Sequence, residues 1–450
     1  MEVNNGKMTA KGRLKAWWDR LRVVFSQVPI LGWILGALGA VLLELSVGPP
    51  LARALGMSKV PVLFGFDIVL KQPVLIPSAL LYILLVYVLP VAVLACVTAS
   101  VTNRIAARLL KFPLVISVVL HLGLFYAVLH LWSSMSDYRV LMTRLTLIAT
   151  MLTLSLNVIN GYMGEFSCSH PGFMALGAYA ASVFSVVLFV PNNNVGGPFL
   201  PLGLGPLLFP LGLILAGLVS AAGALLVAIP SFRTRGDYLA IISLAFMFII
   251  KSLFENIEAV GGARGMGGQP DWAPLPIVFL WTVVCIWTIN NFVRSTMGKA
   301  LNAVRDGELA ADAMTVNTRH TKMMAFLFGA FWAGVAGGLF AHVLRYVNPG
   351  TFDLKKLAEM LAMVYFGGLN SVVGSITGAV SYNLLSEALR PLELYKWIII
   401  PLLLILVMIF RPTGLISFRE FDVESLLQPR IKPSATEGPE SAGSALDAKA

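Results

Sequence analysis

Long apolar stretches separated by short polar connections recur along the whole chain. Most of them approach the roughly 20 residues that an α-helix needs to cross a lipid bilayer. The pattern therefore predicts an all-α integral membrane protein, a polytopic bundle of about 10–12 transmembrane helices. The predicted spans are residues 28–47, 74–99, 113–132, 140–160, 172–190, 207–229, 238–257, 275–293, 323–345, 357–388 and 394–411.

The stretch 357–388 is too long for a single span, and glycine and asparagine interrupt its middle. A break at membrane depth is tolerated only where protein or a watery cavity satisfies the freed backbone groups. We therefore predict two shorter helices, with a break that lines a pathway through the bundle. The residues of this second break are Gly367, Gly368, Asn370 and Gly374.

A first, polar and glycine-rich break lies between the spans 140–160 and 172–190. Its residues are Asn157, Asn160, Gly161, Gly164, Glu165, Ser167, Ser169 and His170. Broken helices expose N–H and C=O groups at their ends, and these can contact the carboxylate and ammonium of a zwitterionic solute. A tight helix crossing, with Asn and Ser hydrogen-bonding between helices, explains the same residues without a ligand. Both interpretations stay open.

Two ionisable residues of the first break differ in what they indicate. Glu165 is a candidate functional group, because an ionisable residue is expensive to keep within a membrane. His170 is interpreted as structural, because no second His, Cys or carboxylate stands at metal-ligand spacing from it. No metal site is predicted.

Composition and charge narrow the class of protein. Hydrophobic residues make up 57% of the 450 residues and charged residues only 12%, with a mean hydropathy of +0.81, whereas soluble proteins carry about 25% charged residues. The net charge of +10 does not indicate nucleic-acid binding, because the basic residues are twice as frequent in the loops of one side. This bias predicts that those loops and both termini are cytoplasmic.

The chain divides into four predicted regions. Residues 1–27 form a cytoplasmic N-terminal segment, 28–139 form extra N-terminal transmembrane helices, and 140–411 form the core of the bundle. Residues 412–450 form a cytoplasmic tail whose polar end is predicted to be disordered. Asp237 is predicted to cap the span that follows it.

The longest cytoplasmic loop between spans, 294–322, carries a helical apolar face opposite charged residues. The apolar positions are Ala300, Leu301, Val304, Leu309, Ala310, Ala313 and Met314, with Arg305, Asp306, Glu308 and Asp312 opposite. Such a face has to be buried. Either it packs against the protein's own helices or the lipid interface, or it docks a cytoplasmic partner.

This loop resembles the coupling loop of ABC-importer permeases, and more closely that of the branched-chain amino acid permease family. Four other stretches resemble the same family in the same order. They are LSLNVINGYMGEFSCSHPGFMALGAY at 154–179, RTRGDYLAIISLAF at 233–246 with GGARGM from Gly261, VYFGGLNSVVGS at 364–375, and FRPTGL at 410–415. The long N-terminal portion resembles the second, M-type permease subunit of that family.

The resemblance implies a division of labour. A second homologous permease pairs with such a subunit, two ATP-binding subunits dock from the cytoplasm, and a periplasmic solute-binding protein delivers the solute at the bacterial inner membrane. The sequence has no G-x-x-x-x-G-K-[ST] motif to hold ATP phosphates. We therefore expect a transport subunit without enzymatic activity or bound cofactor, whose partners hydrolyse ATP with Mg²⁺. The resemblance implies these ATPase-coupling residues: Gly298, Arg305, Glu308, Leu309, Ala310, Ala311 and Met314.

Several residues depart from the family pattern. Thr315 and Asn370 stand where glycine is usual. The other polar departures are Asn302, Glu165, Cys168 and Ser169. Branched-chain or related hydrophobic amino acids are the expected cargo, and urea, a short amide or another small polar solute is the alternative.

Two other classes of protein remain open. A stand-alone ion-coupled secondary transporter also uses broken helices, but it needs carboxylates at mid-membrane, which are scarce here. An intramembrane enzyme is indicated only by the proximity of Ser167, Ser169 and His170, and no G-x-S-x-G or H-E-x-x-H motif accompanies them.

Overall fold

The computed structural model describes residues 23–57, 75–191, 198–232, 238–411, 414, 416 and 421–430. Three predicted features lie outside the described residues in whole or in large part. They are the cytoplasmic N-terminal segment up to residue 22, the cap at Asp237, and most of the tail after residue 411.

α-Helices account for nearly all regular structure in these described ranges. In chain order they are α1 (Ile30–Ala54), α2 (Ile76–Ile83), α3 (Leu89–Val97), α4 (Ala99–Leu109), α5 (Leu114–Ser133), α6 (Asp137–Asn157), α7 (His170–Phe189), α8 (Gly205–Ser231), α9 (Tyr238–Asn256), α10 (Leu275–Arg294), α11 (Thr296–Asp306), α12 (Glu308–Ala313), α13 (Thr318–Leu344), α14 (Leu354–Gly367), α15 (Val372–Ala388), α16 (Glu393–Phe410) and α17 (Val423–Leu427). A two-residue antiparallel ribbon pairs β1 (Met266–Gly267) with β2 (Tyr346–Val347).

Nine helical segments of the described chain are long and apolar enough to cross a membrane. They are α1, the segment Ile76–Val97, α5, α6 with its continuation to Met163, α7, α8 with the turn before it, α9, α10 and α13. The prediction of an all-α polytopic membrane protein is confirmed. The predicted division of 357–388 is also present, since α14 has 14 residues, α15 has 17, and residues 368–371 separate them.

α1 continues beyond the predicted end of its span at residue 47. It ends at Ala54 and contains Pro49 and Pro50. Proline keeps a helical φ and removes its own N–H donor, so a helix can pass through it near an end where few bonds are lost. A proline pair is therefore a poor marker of the last residue of this helix.

The helices form two compact units, one made of α1–α5 with α17 and the other of α6–α16. In the first unit α1 packs against α3 and α5. Glu44 of α1 is only 2% exposed, so its carboxyl group faces protein, as expected for an ionisable residue within a span. A small apolar core of this unit consists of Ala52, Met57, Ala79, Tyr82 and Val86.

In the second unit α13 packs against α6, α7 and α8. Glycine allows two of these helices to approach at backbone contact. A Cβ atom on Gly177 of α7 would lie 2.1 Å from the carbonyl oxygen of Gly334, and one on Gly337 of α13 would lie 2.1 Å from that of Met174. These contacts position the N-terminal end of α7, where the first break ends.

Candidate functional site

The first break joins α6 to α7 through residues 158–169. α6 passes directly into the buried π-helix Val158–Met163, and Gly164 ends it with φ of +76°. The N–H of Glu165 then donates to the carbonyl of Ile159 at 3.3 Å. π-Helical turns are rare and are found frequently at functional sites.

Asn157, the last residue of α6, connects the two breaks. Its side-chain amide donates to the carbonyl of Ser371 at 3.1 Å and to the hydroxyl of Ser375 at 2.6 Å. Its Oδ1 accepts from the N–H of Asn370 at 3.2 Å. Gly161 approaches the same place, because a Cβ there would lie 2.7 Å from the Asn370 nitrogen. The first break therefore makes the interhelical hydrogen bonds that a tight helix crossing requires.

The second break reverses the chain between α14 and α15. Gly368 and Asn370 both have positive φ, +126° and +56°. Ser371 caps α15, since its Oγ accepts from the N–H of Gly374 at 3.0 Å. A Cβ on Gly367 would lie 2.1 Å from the Gly374 carbonyl oxygen, so the two short helices touch through their backbones.

The chain between the π-helix and α7 is held by buried polar contacts. The hydroxyls of Ser167 and Ser169 lie 2.9 Å apart, and the N–H of Ser167 donates to Oδ1 of Asn160 at 3.3 Å. The N–H of Cys168 donates to the hydroxyl of Ser243 on α9 at 2.9 Å. Burial raises the pKa of the Cys168 thiol, and the Ser243 hydroxyl opposes that shift.

His170 is fully buried at the start of α7. Its ring lies beside the carbonyl of Ser155 and packs edge-on against Phe173, with ring centroids 5.8 Å apart. Within the described chain, the Ser167 and Ser169 hydroxyls bond to each other and neither bonds to this ring. The nucleophile–base pair of a serine hydrolase is therefore not assembled among these residues.

The loop 294–322 forms two helices, so the predicted apolar face is not continuous. α11 ends at Asp306, Gly307 is extended with φ of −177° and ψ of 95°, and α12 begins at Glu308. An extended residue rotates the second helix relative to the first. A single glycine within a helical pattern is tolerated often enough that the sequence alone does not predict this bend.

α11 buries its half of the face against the protein itself. Leu301 is 0% exposed and Val304 is 3% exposed. Gly298 allows the close turn from α10, because a Cβ on it would lie 2.1 Å from the carbonyl oxygen of Val293. For this helix the packing interpretation holds.

α12 leaves its half of the face uncovered. Leu309 is 77% exposed and Met314, which directly follows the helix, is 76% exposed. Ala310 is also exposed, whereas Ala311 is buried. This exposed apolar surface of α12, defined by Leu309, Ala310 and Met314, is the part of the loop available to a partner.

Lys322, near the start of α13, joins α12 to the first break. Its Nζ lies 2.7 Å from Oε1 of Glu165 and 2.8 Å from Oε2 of Glu308. The Lys322 side chain is 10% exposed, against 28% for Glu165 and 51% for Glu308. One ammonium group therefore lies between a carboxylate of the break and a carboxylate of the loop, and we call these three residues the ion bridge.

Arg305 of α11 makes a second contact between the loop and the first break. A Cβ on Gly164 would lie 2.4 Å from Cγ of Arg305, so glycine leaves room for this side chain. The guanidinium lies 2.8 Å from the carboxylate of the neighbouring Asp306. The loop thus touches two successive residues of the break, Gly164 and Glu165.

The structure brings together residues that the sequence placed in separate predicted sites. Arg305 and Glu308, predicted for ATPase coupling, contact Gly164 and Lys322, and through Lys322 they reach Glu165. Lys322 was missed by sequence reasoning. A lysine at the end of a span is ordinarily an interfacial anchor, and its carboxylate partner Glu165 lies 157 positions away, so no local signal identifies it.

An open apolar groove with a volume of about 360 Å³ lies where α7, α8 and α9 meet. Tyr179 and Phe254 stack in its wall with centroids 3.9 Å apart. The predicted pathway residues do not line it, and its walls offer little to a zwitterion. The lining residues are Leu176, Tyr179, Ala180, Val183, Phe184, Leu215, Val219 and Phe254.

Comparison with known proteins identifies related permeases. The LivM permease protein of the high-affinity branched-chain amino acid transport system of Salmonella typhimurium is 32% identical over 60% of this chain and 68% of its own length. The LivH permease protein of Escherichia coli is 27% identical over 38% of this chain and 56% of its own length. A probable LivM of Methanocaldococcus jannaschii is 22% identical over 59% of this chain and 89% of its own length. No solved structure matches the chain.

The longer match to LivM than to LivH confirms the predicted resemblance to the M-type subunit. A family model described as "Branched-chain amino acid transport system / permease component" matches residues 138–409. This range contains both breaks and the whole loop 294–322. The chain therefore belongs to the branched-chain amino acid transport system permease family.

Proposed function

We propose that this protein is the membrane-spanning permease subunit of an ATP-binding-cassette importer. Its cargo is branched-chain or related hydrophobic amino acids, carried across the bacterial inner membrane. Family membership supports the proposal, as do the names of the relatives, which are permease proteins of a branched-chain amino acid transport system. In Escherichia coli two permease proteins, LivM and LivH, are named after the same transport system, which favours a homologous permease as one partner.

The exposed apolar surface of α12 is the observation that carries the proposal. Leu309 and Met314 are more than three-quarters exposed on a short helix between two spanning helices. Burial of one such side chain contributes about 1.5–3 kcal/mol, so a partner that covers both gains substantially. The same helix is tied to the first break through the ion bridge. A partner docked here is therefore connected to the proposed pathway through these contacts.

The remaining proposed partners are those that the family resemblance implies. Two ATP-binding subunits dock on the cytoplasmic loops of the two permeases and hydrolyse ATP with Mg²⁺, while this chain supplies no phosphate-binding motif. A periplasmic solute-binding protein delivers the amino acid from the other side. Both termini of this chain lie in the cytoplasm.

Substitution of the exposed surface of α12 tests the docking. Leu309→Asp with Met314→Asp places two charges where the partner would bury apolar side chains. We expect normal membrane insertion, no co-purification of the ATP-binding subunit, and ATP-dependent leucine uptake reduced at least about tenfold. Leu354→Asp is the matched control, because Leu354 is also an exposed leucine, at 56%, but begins α14. Undiminished co-purification of the double variant would count against the proposal.

The cargo is tested by competition in vesicles that contain the complete transporter and its binding protein. We expect valine and isoleucine to inhibit uptake of radiolabelled leucine, and urea not to. Inhibition by urea, with none by valine or isoleucine, would indicate a small polar cargo instead. The amide and hydroxyl groups of the breaks also suit such a solute. Leucine uptake by this chain alone under an ion gradient would instead support a secondary transporter.

A further inference from the structure

We propose that Lys322 transmits movement of α12 to the first break through the ion bridge. The inference rests on the proposed function, because it assigns to named atoms the link between the ATP-binding subunits and the pathway. Lys322 is a positioning residue in this scheme, since it acts through Glu165 and not on the solute. Its two carboxylate partners belong to different segments, the loop and the break.

The contacts of Lys322 are short, and the lysine side chain itself is largely shielded from water. Charge-assisted N–H···O bonds of 2.7–2.9 Å are roughly twice as strong as neutral ones, and both contacts, at 2.7 and 2.8 Å, fall in that range. Because the Lys322 and Glu165 side chains are only 10% and 28% exposed, salt screens their pair less than it screens surface pairs. The pair with Glu308, whose side chain is 51% exposed, is screened more. Movement of either carboxylate is therefore resisted by the other through the shared ammonium.

At one end, the ion bridge is attached to the part of the loop that a partner can move. Glu308 is the first residue of α12, which carries the exposed Leu309. The extended residue Gly307 separates this helix from α11, whose Leu301 is anchored at 0% exposure. α12 can therefore turn about Gly307 while α11 stays packed.

At its other end, the ion bridge is attached to Glu165, which follows the residue that ends the π-helix. The N–H of Glu165 donates to the Ile159 carbonyl. The preceding Gly164 has a positive φ, and because glycine has no Cβ the chain is freer to hinge there. Two residues later, the N–H of Ser167 holds the Asn160 side chain. A displacement of the Glu165 carboxylate therefore shifts backbone that holds proposed pathway residues.

The test measures leucine transported per ATP hydrolysed by the complete transporter in proteoliposomes, with radiolabelled leucine as the probe. Glu165→Gln and Lys322→Met each remove one charge of the ion bridge, away from the exposed surface of α12. We expect the ratio to fall about tenfold while the ATP-binding subunit still co-purifies. The double variant should fall no further than either single variant, because the two contacts act in series.

A conservative variant and a matched control keep the test specific. Lys322→Arg retains a cation with reach to both carboxylates, and we expect it to keep most of the wild-type ratio. If Lys322→Met fails to insert into the membrane, the comparison of Lys322→Arg with Glu165→Gln still tests the role of the ion bridge. Glu359→Gln is the matched control, because Glu359 pairs with Lys356 at 3.0 Å within the single helix α14. This control should keep the wild-type ratio.

The possible outcomes separate the two proposals. Absence of ATP-driven leucine uptake by the wild-type transporter would overturn the proposed function itself. With an active wild type, a normal ratio in Glu165→Gln would overturn the role of the ion bridge and leave the permease function standing. An equal loss in Glu359→Gln would also overturn it, because the effect would then not depend on the contact between loop and break.

Discussion

At the scale of single residues, two departures from the family pattern share one backbone feature. Thr315 and Asn370 stand where the family resemblance implies glycine, and both adopt positive φ, +66° and +56°. Asparagine tolerates this left-handed region, whereas a β-branched residue is an outlier there. The departure at Asn370 is therefore compatible with its turn, and the departure at Thr315 carries strain.

Thr315 occupies the position after α12 that favours glycine most strongly. Its N–H donates to the Asp312 carbonyl at 3.0 Å, and the N–H of Val316 donates to the Ala311 carbonyl at 3.1 Å. These two bonds form a Schellman motif, in which the left-handed residue is usually glycine. Thr315, whose β-branched side chain is poorly suited to a left-handed backbone, therefore ends the proposed docking helix.

Thr315→Gly should stabilise the end of α12. Relief of the left-handed strain is worth about 1 kcal/mol, which slows exchange of the Val316 amide roughly fivefold. Hydrogen exchange with mass spectrometry on a peptide that covers 308–316 measures this effect. Asn370→Gly is the control and should change exchange at its own turn less. Faster exchange in Thr315→Gly would show that the threonine is not strained.

At the scale of elements, the two halves of the loop 294–322 differ: the first packs on the protein, and the second leaves exposed the surface for which we propose a partner. α11 packs on the protein, with Leu301 buried, and α12 presents Leu309 to water. The division arises at Gly307, whose extended backbone separates the two helices. One amphipathic pattern thus encodes an anchor followed by an exposed surface.

Cysteine labelling should distinguish the two helices. In inside-out vesicles stripped of ATP-binding subunits, Leu309→Cys should react with a membrane-impermeant maleimide and Leu301→Cys should not, because the side chains are 77% and 0% exposed. The native Cys168 and Cys285 are buried, and Cys96, of intermediate exposure, lies within the apolar segment Ile76–Val97. The unsubstituted protein measures the background from all three. Equal labelling at the two positions would contradict the packing of α11.

A third cysteine variant tests on which side of the membrane each loop lies. Ala259 is exposed in the loop between α9 and α10, and one span, α10, separates it from the 294–322 loop. Ala259→Cys should therefore react in right-side-out vesicles and Leu309→Cys in inside-out vesicles. Reaction of both from one side would refute the predicted orientation.

The sequence could predict the features that depend on local residue patterns, and it could not predict contacts between residues far apart in the chain. The spans and both breaks follow from hydropathy and from glycine and asparagine within apolar stretches, which are local signals. The bond from Asn157 to Ser375 joins residues 218 positions apart, and only the packing of α6 against α15 creates it. The same holds for Lys322 and Glu165, which no spacing rule relates.

At the scale of the whole molecule, the proposed machinery lies within one compact unit. Residues 136–421 form this unit, and the family match at 138–409 falls inside it. The ion bridge, both breaks and the exposed surface of α12 all belong to it. The unit formed by α1–α5 and α17 lies outside that match and contains Glu44 as a buried carboxyl group.

Gly177→Ala should destabilise this unit as a whole. The added methyl group would lie 2.1 Å from the Gly334 carbonyl oxygen, and overpacking of this kind costs about 1–3 kcal/mol. The midpoint of thermal denaturation in detergent should fall by several degrees. Gly123→Ala is the matched control, since Gly123 lies within the span α5 and a Cβ on it would meet nothing within 4 Å. Equal midpoints for the two variants would show that α7 and α13 can separate freely.

The glycine contacts of α7 with α13 restrict how the molecule can open. Gly334 also faces α8, because a Cβ on it would lie 2.4 Å from Cβ of Ser220. The Ser220 hydroxyl lies 3.1 Å from the Phe173 carbonyl oxygen of α7 and 2.8 Å from the Ala330 carbonyl oxygen of α13. Sliding any of these helices past its neighbours by one residue would bring a side chain against a main-chain atom, because only glycine fits at these contacts. Packed interiors switch between discrete arrangements and do not deform continuously. We therefore expect the three helices to move together. We expect the pathway to open by tilting around these three helices, with bending in the chain on either side of them.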